Sequence, residues 1–298
     1  MKHLGIDSNL HETKQHGEYT FPYMIYRGKI PEYQYSYPLH WHEEMELILV
    51  VSGKGYASVN SKNYLLSSGD ILVISPHDVH SIKQYKNLEW EYFNILFRFS
   101  ILEDKLSPRC YENHLKPFLK HSKDLPVHIV QSHPISKDLT LCLKDLIDNR
   151  KKSLINYELM IKSNLFRIMY LLEQYAIPNK NYNNKIGSDF KIKTALTYIN
   201  KHYNESIKID DIANSCCYSK SYFMKFFKKY TGSSFIQYLN NYRLEIAFRL
   251  LTDTEYKITD IASRVGFDNI PYFTRCFHKK YNVCPSDLRK RNNQFNLN

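Results

Sequence analysis

The stretch YSKSYFMKFFKKY at residues 218–230 nearly returns at 268–281 as DNIPYFTRCFHKKY. An internal repeat constrains a chain strongly, because each copy has to be the same local unit. Tyr222-Phe223 falls on Tyr272-Phe273, Lys225 on Arg275, Phe227 on Phe277 and Lys229 on Lys279, an offset of 50. Upstream, Asp211-Ile212-Ala213 falls on Asp260-Ile261-Ala262 at an offset of 49, so the second copy has one extra residue in its turn. Each copy reads as a short helix, a turn and a second helix. Phe223, Phe226, Phe227 and Tyr230 share one face of the first copy, leaving Ser221, Met224, Lys225 and Lys228 outside. Phe273, Phe277 and Tyr281 do the same in the second, leaving Ile270, Thr274, Arg275 and His278 outside. Ser219 suits the cap of the first helix, Asp268 or Asn269 that of the second, and Pro271 its first turn. This is a helix-turn-helix pattern, in which the second helix enters the DNA major groove. Two such heads need about 34 Å between successive grooves. A helix over residues ~235–251 would span about 25 Å between them. The bland alternative is an all-α repeat whose copies merely pack on each other.

Charge favours the first reading. The chain has 298 residues and a net charge of +11. From Ser188 onward, 18 Lys and Arg stand against 10 Asp and Glu. A basic terminal domain suits a polyanion. The remaining helical segments there are expected around 195–203, ~209–216, 219–230, 258–265 and 270–281.

The first hundred residues differ. YMIYRG, MELILVV, KGYASV, DILVIS and YFNILFRF read as short strands, separated by SGKG, VNSKN and SSGD. Strands at this spacing suggest a barrel or sandwich. From about Ile135 the period becomes helical, with Leu139, Leu143 and Leu146 on one face, then Ile161, Leu165, Ile168, Met169 and Leu172. IPNKNYNNKIGS at 177–188 reads as a linker. The expected fold class is therefore α+β and multidomain: an N-terminal β-barrel followed by helices, then an all-α domain with two helix-turn-helix motifs joined by a long helix. The expected boundaries are 1–133 for the barrel with an N-terminal arm, 134–177 for a helical pair, 178–188 for the linker and 189–298 for the DNA-binding domain. The helical pair is a candidate dimer contact, with packing on its own barrel the other option. Neither a signal peptide nor a membrane span is legible, so a cytoplasmic protein is expected. The six cysteines show no C-x-x-C spacing and read as reduced thiols.

Two stretches of the barrel carry chemistry. HWHEEMELILVVSG (40–53) has the form H-x-H-x3-E-x6-G, and GDILVISPHDVH (69–80) the form G-x6-P-x3-H. His40 and His42 alternate on a strand and face one side, with Glu46 an even step further on. Trp41, Trp90 and Tyr92 are candidates to stack on a ligand ring, although aromatics in strands more often serve the core.

The last hundred residues resemble the DNA-binding domain of the AraC/XylS family of transcription regulators. The resemblance rests on SKSYFMKFFKKYTGSSFIQYL, RLEIAFRLL, ITDIASRVGFDNIPYFTRCFHKKY and CPSDLR, and covers about 190–290. It implies that Lys220, Ser221, Met224 and Lys225 read one groove, and Asn269, Ile270, Thr274 and Arg275 the next. This chain departs from the family at Cys217 and Asn282, where Gly is usual. It also departs at Pro271, usually a small hydroxyl residue, and at Leu288, usually Tyr. The His and Glu pattern resembles the cupin barrel motifs. In metal-binding cupins such residues hold one divalent ion, which makes His40, His42, Glu46 and His80 metal candidates. In regulators of this family the barrel instead implies an effector pocket, commonly for a sugar, with the same four residues binding hydroxyls, and no cofactor. The arabinose-type regulators close an N-terminal arm over that pocket. The resulting expectation is a ligand-responsive, sequence-specific transcription regulator and not an enzyme. It would control carbohydrate uptake or catabolism, with promoter DNA, a sugar effector, RNA polymerase and a second copy of itself as partners. The alternative is a cupin metal-dependent enzyme, or a metal sensor, with a helical interaction domain.

Overall fold

The structure is a computed structural model that describes residues 11–12, 14–31, 36–104, 108–150, 156–179 and 182–295, with backbone only over 182–189 and 291–295. Most of the expected N-terminal arm, residues 1–10 and 13, lies outside the described residues. The described chain divides into two compact units between Asp189 and Phe190.

Unit 1 is built on one long strand. Its first seven strands are β1 (Tyr23–Ile30), β2 (Ser36–His40), β3 (Met45–Val59), β4 (Lys62–Ser67), β5 (Ile71–Ile74), β6 (His80–Gln84) and β7 (Trp90–Phe97). The first half of β3 pairs with β5 and β7, and its second half with β4 and β6. The register shifts between Val50 and Ser52, and Gly53 follows at φ 77°. A Cβ at Gly53 would lie on the Glu89 carbonyl oxygen, so the bend needs glycine. The strand thereby serves both halves of the sheet. Ile48 and Val50 from one half meet Ala57, Val59 and Ile82 from the other in an inner core that also buries Trp90 and Tyr92. The alternate residues Met45, Leu47 and Leu49 face the opposite way.

That second face is covered by helices. After α1 (Lys116–Leu119), β8 (Lys123–Asp124) and β9 (His128–Ile129) come α2 (Ser136–Asn149) and α3 (Tyr157–Glu173). Leu139, Leu143 and Leu146 of α2 and Ile161, Leu165, Ile168 and Leu172 of α3 join the β3 and β7 side chains in one core. The helical periodicity is spent on the sheet of the same chain. β10 (Ile177–Pro178) closes the unit by pairing with β8.

Unit 2 is helical: α4 (Tyr182–His202) from Phe190 onward, α5 (Ile209–Ser215), α6 (Lys220–Thr231), α7 (Phe235–Asp253), α8 (Ile258–Arg264), α9 (Ile270–Tyr281) and α10 (Pro285–Phe295). Helix α4 begins inside the stretch expected as a linker, so much of 178–188 is helical backbone. Asn and Gly are weak helix formers, but extending an existing helix adds a hydrogen bond per residue and tolerates them. Helix α10 carried no distinct expectation; its sequence, PSDLRKRNNQF, is too polar to show a core period.

Candidate functional site

The two repeats fold into the same backbone. In the first turn Cys217 N–H bonds Asn214 O and Tyr218 N–H bonds Ala213 O; in the second Gly266 N–H bonds Ser263 O and Phe267 N–H bonds Ala262 O. Cys217 (φ 55°) and Gly266 (φ 87°) are both left-handed at matching places. Ser219 and Asn269 accept the Tyr222 and Tyr272 backbone N–H as N-caps. Gly232 and Asn282 end α6 and α9 in the left-handed region, bonding back to Lys228 O and His278 O.

Aromatic packing aims the two helices. Phe223 and Phe227 of α6 meet Phe235, and Phe227 also meets Tyr238, both on α7. Phe277 and Tyr281 of α9 meet Phe248 further along α7. Helix α7, with 19 residues, is about 28 Å long. What remains outside is the expected reading face. Lys220, Ser221, Met224 and Lys225 are exposed on α6. On the second head Asn269, Ile270 and Arg275 are exposed and Thr274 is half-buried. Two of these eight have further bonds. Lys220 Nζ lies 2.9 Å from Asp210 Oδ2, and Asn269 spends its amide oxygen on the cap.

Unit 1 holds a polar cavity of about 240 Å³. Strands β2, β3 and β6 deliver His40, Glu46 and His80 to it, and Tyr26, Tyr37 and Asn94 complete much of the wall. The strand does not continue from His42 to Glu46 as the even spacing supposed, since β2 ends at His40 and β3 begins at Met45. The residues meet regardless. His42 Nε2 lies 2.8 Å and His80 Nε2 3.0 Å from Glu46 Oε2. Each imidazole turns its other nitrogen to a backbone carbonyl: His40 Nδ1 donates to Pro38 O, His42 Nδ1 to Glu44 O and His80 Nδ1 to Asp78 O. One ligand nitrogen from each of the three lies within 4.8 Å of the others. Imidazoles fixed by carbonyls at one nitrogen and converging at the other fit a divalent metal, with Glu46 at hand as a fourth donor.

Burial would raise the Glu46 carboxyl, yet His80 and His42 hold it well below the usual carboxylate range. Burial would lower His42, yet its bond to Glu46 raises it. His40 is pushed down to about 3, first by burial and then by the neighbouring imidazoles of His80 and His42. The cluster therefore mixes a charged pair with a neutral ring.

Sequence reasoning missed Glu12 and His16. Glu12 pairs its backbone with Trp41 and sets its carboxylate 3.4 Å from His16 Nε2 and 3.6 Å from His40 Nε2. Burial would raise Glu12, but His16 and His40 lower it. A Glu followed four residues on by a His was visible in the tail, but its target was not. Of the three candidate stacking aromatics only Tyr92 lines the cavity. Trp90 is fully buried and lies against Gly55, where a Cβ would strike the indole. Trp41 stacks on His11 with ring centroids 4.4 Å apart. Among the described residues no helix is long and apolar enough to cross a membrane.

Comparison with known proteins matches both units. Residues 23–163 match the AraC-like ligand binding domain family, and residues 212–291 a Helix-turn-helix domain family. The chain is 25% identical to the HTH-type transcriptional regulator YdeC of Bacillus subtilis, over 98% of this chain and all of that one. It is 26% identical to the HTH-type transcriptional activator RhaS of Shigella boydii, over 88% of this chain and 91% of that one. Among solved structures, the C-terminal domain of AraT, a response regulator from Geobacillus stearothermophilus, is 34% identical. It covers 34% of this chain and 84% of its own, with a TM-score of 0.33.

Proposed function

We propose, from the premise that this chain belongs to the AraC family of transcription regulators, that it is a sugar-responsive switch at promoters of carbohydrate uptake or catabolism genes. It is a regulator and not an enzyme: a ligand-binding domain is followed by a DNA-binding one. The observation that carries the DNA-reading part is the backbone equivalence of the two heads, with their outer faces free of the aromatic core. Lys225 and Arg275 occupy the same place on each. They are the residues expected to contact bases, with Met224 and Ile270 adding apolar contacts to thymine methyls. Lys220, Ser221, Asn269 and Thr274 complete the two reading faces.

A sugar suits the cavity by size and chemistry. About 240 Å³ accommodates a monosaccharide. Its walls offer imidazoles, the carboxylates of Glu12 and Glu46, and phenols to hydroxyl groups. Asn94 Oδ1 is buried without a hydrogen-bond partner among the described residues, an acceptor that a hydroxyl would satisfy. Such a ligand shifts the regulator only if it binds one arrangement of the protein better than another. Leu159, Phe166 and Tyr170 are exposed along α3, and this stripe is the surface we assign to a homodimer. The protein acts in the cytoplasm, where it meets promoter DNA and RNA polymerase.

A second reading rests on the three converging imidazoles. His40, His42 and His80, with Glu46, would hold a divalent ion, making the barrel a metal sensor. Metal analysis of the purified protein, and of His42→Ala and His80→Ala, separates the two readings.

The decisive experiment is a footprint on promoters beside its own gene with a panel of sugars. Protection of paired sites in adjacent major grooves, changed by one sugar, is the expected result. Protection indifferent to every sugar would remove the sugar and leave the metal. No protection at low salt would remove the DNA-reading function itself.

A further inference from the structure

We infer that Tyr272 is a positioning residue of the second reading head, and that it makes this head the more discriminating of the two. This rests on the DNA-reading function proposed above. Tyr272 sits in the first turn of α9, where its own N–H closes the Asn269 cap at 2.8 Å. Its phenol oxygen accepts a hydrogen bond from Asn240 Nδ2 at 3.0 Å, and Asn240 lies on α7. The Arg275 guanidinium carbon stands 5.5 Å from the centre of the Tyr272 ring, within the range of a cation–π contact. One residue thus joins the strut through its phenol, the cap through its backbone N–H, and the arginine expected to read bases through its ring.

The first head lacks this arrangement. Tyr222, at the matching place, packs on Tyr218 with centroids 4.6 Å apart. Among the described residues no hydrogen bond joins its phenol to α7, and Lys225 has no ring beneath it. The second head has a further polar tie: Lys280 Nζ reaches Asn241 O at 3.0 Å and Glu245 Oε1 at 2.8 Å, both on α7. The contacts of α6 with α7 run instead through Phe227 and its aromatic partners.

The physical consequence concerns Arg275. A free arginine on an exposed helix must lose rotamer freedom to form a forked contact with guanine. A ring held in place by Asn240 limits that freedom beforehand. A lysine without such a support places a point charge and reads less sharply. Bases under α9 should therefore be more strictly specified than those under α6.

The test uses the full-length protein on the protected site, with single base changes in either half. Arg275→Ala and Lys225→Ala serve as references for the two heads. Tyr272→Leu is expected to reduce discrimination in the α9 half by about three- to tenfold and to leave the α6 half unchanged. Asn240→Ala and Tyr272→Phe are expected to give smaller losses, and their double variant no more than Tyr272→Phe alone, since that change removes the Asn240 bond together with the hydroxyl's contact to Cys276. These two keep the fold testable should Tyr272→Leu unfold. Loss of discrimination with Arg275→Ala but not with any Tyr272 or Asn240 variant would overturn the inference. So would a loss of affinity equal on all sequences with a shallower salt dependence, which marks a phosphate contact. If both Arg275→Ala and Lys225→Ala leave affinity and discrimination intact, the assignment of these residues to the reading faces fails instead; no protection of any site by the parent protein would remove the DNA-reading function.

Discussion

In the His and Glu cluster burial wins at His40, and ion pairing overrides it at His42 and Glu46. His40 keeps its neutral form because its surroundings push it down to about 3 from 6.5. The unfolded chain takes up a proton at His40 as pH falls through about 6.5, and the folded chain does not. Stability is therefore lost on that side, by at most about 1.4 kcal/mol per pH unit. His42 works in the opposite sense. Its raised value stabilises the charged form, a contribution present in full below 6.5 and lost as pH rises through the folded value. Thermal denaturation of unit 1 should be most resistant near pH 6.5, and His40→Gln should flatten the decline between pH 6.5 and 5. An unchanged acid slope in that variant would exclude this role for His40. At this scale His40, His42, Glu46 and His80 were named through their resemblance to the cupin motifs, although the strand expected to carry His42 on to Glu46 is broken between His40 and Met45. The sequence did not name Glu12 or Asn94, whose neighbours are distant along the chain.

Turns show where local chemistry is satisfied and where it is strained. Cys217 occupies the left-handed position that Gly266 occupies in the second copy. A non-glycine residue there costs roughly 1 kcal/mol. Cys217→Gly should stabilise unit 2 by about that amount in urea melts. Gly266→Ala should destabilise it by more, because a Cβ there would lie 2.8 Å from Tyr203 O and 2.9 Å from the Arg243 guanidinium carbon. Arg243 in turn donates to the Tyr203 and Glu205 carbonyls, so little can give way. A Cys217→Gly variant no more stable than the parent would show that the turn stores no strain. The helix-turn-helix elements were legible because caps, turns and the aromatic period agree. Helix α4 was not, since Asn183, Asn184 and Gly187 suggest a break that the helix passes through.

The assembled molecule is a basic reader joined to a polar pocket. Phosphate contacts should dominate its affinity for DNA. Binding is expected to weaken on the order of a hundredfold between 50 and 200 mM salt, measured by fluorescence anisotropy on the footprinted site. A flat salt response would be incompatible with two heads seated on the duplex.

The sequence by itself determined the repeated reading heads, their caps and the order of the two domains. Each of these follows from residues within one or two helical turns of one another, where periodicity and backbone preference act. The tertiary structure decided what depends on non-local contact. It sent Trp90 into the core and Tyr92 to the cavity, placed Glu12 beside His16 and His40, and spent the α2 and α3 faces on the sheet. It also hung Tyr272 on Asn240, distinguishing two heads whose sequences read alike. A repeat fixes what each copy is. Only packing fixes what each copy leans on.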